Sequence, residues 1–367
     1  MASMITMFLQ SAYSMIDGLF VSNLIGDTAL SAVNVAWPII AVVTAIGTGV
    51  GCGGAVMMST KQGEGKNEES NIVRANVILA LLASSIVVTI LFLILLTPLL
   101  KLMGAEGELL RLSQIYGRVM LTGGVLQILS CGLTPLLRND NRAVSAMMIM
   151  VGGLFVNLGL DFVFMYVFHM GIGGAAGASL CAQLFTTLCC LIILGTKKTD
   201  PIRFSQFIIR KEYWKKIFKT AVSPFGISLT PSLLILYHNV ACLKFGGDLA
   251  VKAYALISST VGSYRVLLIG VAEGIQPLAS YAYGAHDFHA IRKIRNKAII
   301  TAMSVSFFLF IFTIATERGL RGTRTAGGCQ HRLRDESERF RPALQYHQCE
   351  RRHHRNPQRR QPGDGRR

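Results

Sequence analysis

The chain has 367 residues, of which 51% are hydrophobic and only 16% are charged. Soluble domains usually carry about a quarter charged residues, so this composition argues against an ordinary soluble protein. The net charge is +17, and before residue 317 the basic residues are spread over short loops, with no folded domain to present them, which argues against nucleic-acid binding by this part of the chain.

The charged residues leave long apolar stretches between them. Residues 77–100 contain no charge and would extend about 36 Å as a helix, enough to cross the roughly 30 Å hydrocarbon core of a bilayer. Similar stretches recur, and we predict membrane helices at 4–23, 36–58, 76–100, 118–136, 144–167, 173–194, 217–241, 254–283 and 298–315. The sequence therefore predicts an all-α polytopic membrane protein.

The first predicted span contains an acidic side chain, Asp17. Gln10, Ser14 and Asp17 follow the spacing i, i+4, i+7, which places them on one helix face. A carboxylate inside a membrane is costly and therefore indicates function, such as holding a proton or ligating sodium. The alternative is a structural aspartate that only hydrogen-bonds a neighbouring helix.

The second span contains GTGVGCGG at 47–54, which has the Gly-x-Gly-x-x-Gly spacing of a dinucleotide-binding loop. Such a loop follows a strand and opens an amphipathic helix, whereas these glycines lie inside a 23-residue apolar span. In a membrane, small residues four positions apart let helix backbones approach closely. We therefore predict close helix packing here and at GIGGAAG (171–177), and no nucleotide.

The fifth span adds a second intramembrane acid. Asp161 follows Asn157 by one helical turn, so the two side chains lie on one face, and they are candidates for the same proton or sodium chemistry as Asp17. Met147 belongs to a cluster of three methionines near the start of this span. Adaptable methionine side chains suit a promiscuous apolar cavity, with ordinary packing as the alternative.

Two weaker candidates for a substrate cavity lie in the later spans. Glu273 stands between two glycines in the eighth span, where it either faces a central cavity or has a structural role. His238 in the seventh span is either a titrating group or a satisfied polar contact. The eight cysteines show no metal-ligand spacing, so we expect no metal beyond sodium at Asp17 and Asp161, and no cofactor.

Basic residues are distributed unequally between the two sets of loops. The loops after the second, fourth, sixth and eighth spans carry 17 lysines and arginines, whereas those after the first, third, fifth and seventh carry 4. Cytoplasmic loops of membrane proteins are enriched in basic residues. The bias predicts that the even-numbered loops and the N-terminus are cytoplasmic.

The chain repeats itself at an offset of 221 residues. Without a gap, Gly26-Asp27 aligns with Gly247-Asp248, Gly63 aligns with Gly284, and His238 takes the position of Asp17. The offset corresponds to six helices, an even number, so the repeat is parallel. Two parallel halves with a substrate site between them are a transporter architecture.

We accordingly divide the chain into a six-helix bundle (1–195), a cytoplasmic inter-lobe loop (196–216), a partial second bundle of three helices (217–316) and a tail (317–367). The tail contains 14 arginines, no lysine and no isoleucine, valine or methionine. Such a tail is typical of nucleic-acid binding or of translation in a shifted frame. We favour the shifted frame, which also accounts for the absence of three further helices.

Three segments together resemble the multidrug and toxic compound extrusion (MATE) transporters, in particular the bacterial branch of DinF-like and MepA-like exporters. MIDGLFVSNLIGDTALSAVNVAWPI resembles the family's first helix, loop and second-helix entry. NLGLDFVFMYVFHMGIGGAAGAS resembles its fifth and sixth helices, and GVAEGIQPLASYAYGA resembles its eighth. The likeness extends over about residues 4–315.

The resemblance implies two six-helix bundles around a V-shaped cleft. It implies export of lipophilic, often cationic compounds in exchange for protons or sodium. The cation site of the first bundle would fall on Asp17, Asn157 and Asp161, with Ser179 where the family often has threonine and Gln10 beside Asp17. We expect a monomer in the bacterial cytoplasmic membrane that is not an enzyme.

Two alternatives remain open at this point. A lipid-linked oligosaccharide flippase of related architecture should line its cavity with cationic side chains, and the acids assigned to the membrane outnumber Arg118 and Arg265. A truncated remnant would insert into the membrane without activity, because no counterparts of the family's last three helices are expected after residue 316.

Overall fold

The computed structural model describes residues 6–7, 9, 27–196, 206 and 209–326. Within these residues every regular element is a helix and no strand occurs. The elements are α1 Asp27–Gly63, α2 Asn67–Leu102, α3 Gly107–Thr122, α4 Gly124–Asn139, α5 Ala143–Asp161, a π-helical segment Phe162–Val167, α6 Gly171–Gly195, α7 Lys211–Gly284 and α8 Phe288–Ala326. The predicted all-α class is confirmed.

Most predicted membrane spans correspond to one helix. The spans at 36–58, 76–100 and 173–194 lie within α1, α2 and α6, and the span at 144–167 is α5 with the π-helical segment. Of the described helices, five are long and apolar enough to cross a membrane, or six if α3 and α4 form one bent span. The span predicted at 4–23 lies outside the described residues, apart from Thr6, Met7 and residue 9.

The span predicted at 118–136 is interrupted. It consists of parts of α3 and α4, which meet at Gly123 with a bend of 57°. A β-carbon built on Gly123 would lie 2.1 Å from Cδ2 of Leu180 on α6. The glycine therefore makes room for a leucine of a neighbouring helix at the break.

The spans predicted at 217–241 and 254–283 both belong to the long element α7. The ring of His238 stacks on that of Tyr254, with centroids 5.0 Å apart. On a straight helix, residues sixteen positions apart would be about 24 Å apart. Because these two rings touch, α7 must change direction between the two predicted spans.

The glycines of GTGVGCGG bring α1 against two other helices. A β-carbon on Gly51 would lie 2.4 Å from the carbonyl oxygen of Gly132 on α4, and one on Gly53 would lie 2.7 Å from the backbone nitrogen of Ala221 on α7. No larger residue fits such backbone contacts without moving a helix. The structure thus confirms helix packing as the role of this segment.

A second close crossing joins α1 and α7 at their C-terminal ends. A β-carbon on Gly63 would lie 2.1 Å from the carbonyl oxygen of Tyr281, and one on Gly284 would lie 2.0 Å from that of Thr60. Thr60 and Tyr281 are separated by the same 221 positions as the two glycines. The two helices therefore contact each other through equivalent residues of the sequence repeat.

A buried polar cluster joins α1, α2 and the end of α4. Arg74 is 1% exposed, and its Nη1 lies 3.5 Å from Oδ2 of Asp140, while Nε2 of Gln62 donates to Oδ1 of Asp140 at 3.2 Å. The count of basic loop residues above includes Arg74 and Arg138, which the structure buries within α2 and α4. Without these two arginines the bias between the loops keeps its direction.

The chain divides into two compact units, Met1–Ser304 and Val305–Arg367. The first unit contains α1 to α7, and its buried core is mostly aliphatic, with fully buried side chains that include Leu81, Leu121, Ile128, Leu133 and Leu136. The second unit is described through residue 326 and is helical there. Helix α8 therefore continues past residue 316, where we placed the end of the second bundle, and residues 327–367 of the tail lie outside the described part.

Candidate functional site

A cavity of about 350 Å³ lies within the first unit, bounded by residues of α1, α3, α4, α5, α6 and α7 and by two residues near the N-terminus. Its lining includes Trp37, which is 53% exposed. Its wall combines apolar and hydrogen-bonding side chains, among them Ile40, Thr44, Tyr116, Met120, Ser130, Thr134, Met150, Leu154, Gln183 and Thr186. Ligand cavities commonly have about this volume and this mixture of lining groups.

Asn157 lines this cavity and holds Asp161. Nδ2 of Asn157 donates to Oδ2 of Asp161 at 3.0 Å, and the two residues are 6% and 0% exposed. The α-helix ends at Asp161 and the π-helical segment begins at the next residue. Short π-helical segments inside helices occur frequently at functional sites, so the backbone change marks the same position as the buried acid.

Helix α6 supplies further oxygen atoms to the cavity wall. Ser179, Gln183 and Thr186 all line it. Among the described residues, Oε1 of Gln183 is buried and has no hydrogen-bond partner, so it is available to accept a bond from a molecule in the cavity. Ser179 thus lies on the same cavity as Asn157, as the sequence resemblance implies.

Glu273 of α7 also lines the cavity, where it forms an ion pair with Arg138 of α4. Nη1 of Arg138 donates to Oε2 of Glu273, and the side chains are 8% and 19% exposed. Among the described lining residues, these two are the charged ones. The described wall of the cavity therefore carries one positive and one negative charge, held against each other.

Two other predicted cavity residues lie in different surroundings. Met147 lines a small recess beside the cavity, together with Arg138 and Glu273, whereas Met150 of the same methionine cluster lines the cavity itself. His238 is not among the described residues that line either space. Its Nδ1 lies 2.8 Å from the carbonyl oxygen of Leu234 and its ring stacks on Tyr254, so its placement supports the satisfied polar contact.

Asp17 and Gln10 lie outside the described residues. Their assignment to the cation site, and that of sodium between Asp17 and Asp161, stays a prediction. Within the described part of the chain, no group of three histidine, cysteine or acidic side chains is arranged to hold a metal ion.

Arg138 is the charged cavity residue that the sequence analysis does not predict. It was counted as a loop residue because the predicted span ends at residue 136, whereas α4 continues to Asn139. Arg118 and Arg265, the two arginines that the sequence places within the membrane spans, are both exposed in the structure. The apolar residues Leu136 and Leu137 continue the helix, and a span extended through them would have included Arg138.

Comparison with known proteins supplies the family. A family model described as MatE matches residues 2–163 and 227–320. The multidrug export protein MepA of Staphylococcus saprophyticus subsp. saprophyticus is 24% identical over 321 residues, covering 87% of this chain and 70% of the relative. MepA of Staphylococcus aureus strain N315 is 24% identical over 315 residues, covering 85% and 69%.

Solved structures of transporters share the fold. An outward-facing multidrug resistance MATE transporter of the MOP superfamily superimposes with a TM-score of 0.80 at 26% identity, covering 85% of this chain and 69% of that one. A MATE in complex with MaL6 gives 0.79 at 26% identity, with the same coverage of 85% and 69%. A MOP superfamily transporter from Pyrococcus furiosus, described as having a binding pocket of reversed polarity that suggests a different function, gives 0.82 at 25% identity, covering 89% and 73%.

Proposed function

Because the chain belongs to the MatE family, whose model matches more than half of its residues, we propose that it is a multidrug exporter. It carries lipophilic, often cationic small molecules across the cytoplasmic membrane in exchange for protons or sodium ions. The observation that carries this proposal is a buried carboxylate, Asp161, held by an amide that lines a cavity of about 350 Å³.

The composition of the cavity wall suits lipophilic cargo. Trp37, Tyr116 and Met120 offer aromatic and polarizable surfaces, and Thr44 and Gln183 offer hydrogen-bonding atoms. Cationic groups are attracted to the faces of aromatic rings, and methionine side chains adapt to ligands of different shape. A wall of this kind can bind aromatic ring systems of different shapes.

Asp161 and its neighbours suit the coupling ion. A buried carboxylate is stabilised by a proton or by a sodium ion, and hard cations prefer oxygen ligands such as the carboxylate, amide and hydroxyl oxygens of Asp161, Asn157 and Ser179. Binding of either ion changes the charge on α5 next to its π-helical segment. A local change of charge can bias an element that has two arrangements, which is how a coupling ion would favour release of cargo on one side.

We place the N-terminus and the even-numbered loops in the cytoplasm of a bacterial cell. The bias of basic residues supports this orientation, and it persists when Arg74 and Arg138 are removed from the count. We further propose that the protein acts as a monomer.

The flippase alternative requires cationic side chains in the cavity, and Arg138 is one. Its charge is compensated by Glu273 at hydrogen-bonding distance, so the described wall offers no uncompensated positive charge to a phosphate. This balance favours the exporter. An anionic cargo would become the better assignment if Glu273 proved unnecessary and Arg138 essential for transport.

Gradient-driven uptake of ethidium into proteoliposomes tests the proposal. Vesicles with an acidic or sodium-loaded interior should accumulate external ethidium as the ion leaves, and Asp161→Asn should reduce that accumulation to background. The matched control is Asp287→Asn, an exposed carboxylate that accepts a bond from the backbone nitrogen of Ala290 at 2.9 Å; this variant should accumulate ethidium normally. No response of the unmodified chain to either gradient contradicts antiport, and normal coupling in Asp161→Asn contradicts the ion site.

A further inference from the structure

The ion pair between Arg138 and Glu273 joins two segments that are distant in the sequence. The residues are separated by 135 positions, on α4 and α7. They belong to the first and second predicted bundles, respectively. Both side chains line the cavity, so the pair is at once part of the binding wall and a connection between the two helices that carry it.

The helix that carries Glu273 is held by α1. Oγ of Ser59 donates to the carbonyl oxygen of Pro277 at 3.2 Å, and Nε2 of Gln276 lies 3.5 Å from the carbonyl oxygen of Cys52. The close crossing of Gly63 and Gly284 lies about three turns further along the same helix. The carboxylate is therefore on a fixed backbone, and the long flexible side chain of Arg138 is the partner that can move away.

A cationic cargo in this cavity meets a carboxylate that is already occupied. Glu273 is the acidic side chain among the described lining residues, and the guanidinium of Arg138 covers it. A cargo cation gains the attraction of Glu273 only by taking the place of the arginine. In an ion pair that is shielded from water, the attraction between the two groups weakens when a second cation competes for the same carboxylate.

We propose that Arg138 is a resident cation that competes with cationic cargo for Glu273. This inference rests on the proposed function, in that the cargo is taken to carry positive charge. Cargo binding and the α4–α7 ion pair then exclude each other. When the pair forms, it displaces the cargo cation, and when cargo binds, the connection between α4 and α7 is released.

The competition links cargo affinity to the arrangement of the helices. By thermodynamic linkage, the factor by which the ion pair weakens cargo binding equals the factor by which cargo weakens the ion pair. Any rearrangement that brings Arg138 to Glu273 therefore expels cargo, and any rearrangement that separates them increases affinity. Arg138 acts as a specificity-determining residue, since a neutral cargo gains nothing from its departure.

Equilibrium binding of ethidium to the purified chain in detergent tests the competition. Arg138→Gln frees Glu273 and should raise the affinity about tenfold, within the 5- to 150-fold range of typical coupling. Arg138→Lys keeps the competing charge and should stay closer to the unmodified chain. Glu273→Gln removes the attraction and should lower the affinity about tenfold. Nile red, an uncharged probe, should bind all four proteins within about twofold of one another.

The matched control is Arg142→Gln. Arg142 lies four residues after Arg138, between α4 and α5, and donates from Nη1 to the carbonyl oxygen of Ile193 at 2.5 Å. It does not appear among the described residues that line the cavity. Its removal changes the net charge by the same amount and should leave ethidium affinity within about twofold. An equal increase in Arg138→Gln and Arg142→Gln would overturn the proposal, because the effect would then be one of net charge alone.

The remaining outcomes are also decisive. Unchanged ethidium affinity in Arg138→Gln, with ethidium bound by the unmodified chain, overturns the competition and leaves the proposed export function standing. Absence of ethidium binding in every variant contradicts the proposed cationic cargo itself. If Arg138→Gln yields no folded protein, Arg138→Met replaces it: raised ethidium affinity with unchanged Nile red affinity supports the competition, and unchanged ethidium affinity overturns it.

Discussion

Asp161, which is bonded to a residue of the cavity wall, and Glu273, which lines the cavity, are two acids held in different ways. Asp161 is fully buried and accepts a hydrogen bond from Asn157, one turn away on its own helix. Glu273 is 19% exposed and pairs with Arg138 of a different helix. The first acid has a bond to a neutral amide within one element, whereas the second has a bond to a cation that joins two elements.

The difference separates two tasks. Ion binding at Asp161 changes the charge of α5 without requiring the separation of α5 from another helix at this bond. A change of partner at Glu273, by contrast, breaks a connection between α4 and α7. Under the proposed function, we therefore expect the coupling ion to bind at the pair Asn157–Asp161 and the cargo to bind at the pair Arg138–Glu273, which connects two helices.

The largest stability effect should come from a double-mutant cycle on the bridging pair. Arg138→Gln and Glu273→Gln each leave one charge without its partner, which we expect to cost roughly 2–4 kcal/mol, somewhat below the range for fully buried pairs because Glu273 is partly exposed. The double variant should cost less than the sum of the two. Thermal unfolding in detergent measures all three, and additive costs would show that the pair contributes no coupling.

A larger residue at the crossing of α1 and α7 should disturb the helix that carries the Arg138–Glu273 pair and leave the Asn157–Asp161 pair on α5 unaffected. Gly63→Val places side-chain atoms against the backbone carbonyl of Tyr281, which cannot rotate away, so we expect a loss of about 1–3 kcal/mol in the free energy of unfolding. The control is Gly159→Ala, whose added β-carbon meets nothing within 4 Å and should be neutral or stabilising by about 0.5–1 kcal/mol. Equal effects of the two substitutions would contradict the close packing at this crossing.

Asn157→Ala tests the local pair without removing its charge. Loss of the Asn157 amide removes an oxygen ligand proposed for sodium and the donor that positions the Asp161 carboxylate. We therefore expect the sodium concentration for half-maximal ethidium transport to rise about tenfold, equivalent to about 1.4 kcal/mol. Asn296→Ala, a change to an exposed amide on α8, provides the control. An unchanged ion dependence in Asn157→Ala would mean that the 3.0 Å bond has no role in coupling.

The smallest effect should come from an exposed ion pair in the turn between α1 and α2. Hydrogen bonds from Lys61, at 2.8 Å, and from Lys66, at 3.2 Å, hold the pKa of Glu64 below its usual range. A depressed pKa contributes stability above the unfolded-state pKa, and this contribution is lost as pH falls through the folded-state pKa. Above about pH 5, Glu64→Gln should therefore be less stable than the unmodified chain by less than about 1 kcal/mol. In strong acid the two proteins should be equally stable. A stability difference between the two proteins that grows as the pH falls would contradict this prediction.

Features that depend on neighbours along the chain could be predicted from the sequence. The one-turn spacing of Asn157 and Asp161 predicts a shared helix face, and their hydrogen bond shows that face. The four-residue spacing of the glycines in α1 predicts close helix packing, which the contacts of Gly51 and Gly53 confirm. In both cases the helical period alone fixes the geometry.

Features that depend on distant contacts could not be predicted in the same way. No local pattern connects Arg138 with Glu273 across 135 positions. The apolar run predicts that the fourth span ends at residue 136, whereas α4 continues to Asn139. The bend at Gly123 was missed because a single glycine is tolerated within an apolar span, and only its contact with Leu180 reveals the break. His238 was placed at the cavity by its position in the repeat, although its surroundings differ from those implied for Asp17.

The most direct measurement compares Asp161→Asn and Glu273→Gln in one preparation, with ethidium binding in detergent and ion-driven ethidium uptake in vesicles measured for each. We predict that Asp161→Asn binds ethidium with nearly unchanged affinity but loses the response to the ion gradient. We predict that Glu273→Gln binds ethidium about tenfold more weakly and that its residual uptake still follows the gradient. If each variant loses both properties to the same degree, the two acids do not have separate tasks and the account is contradicted.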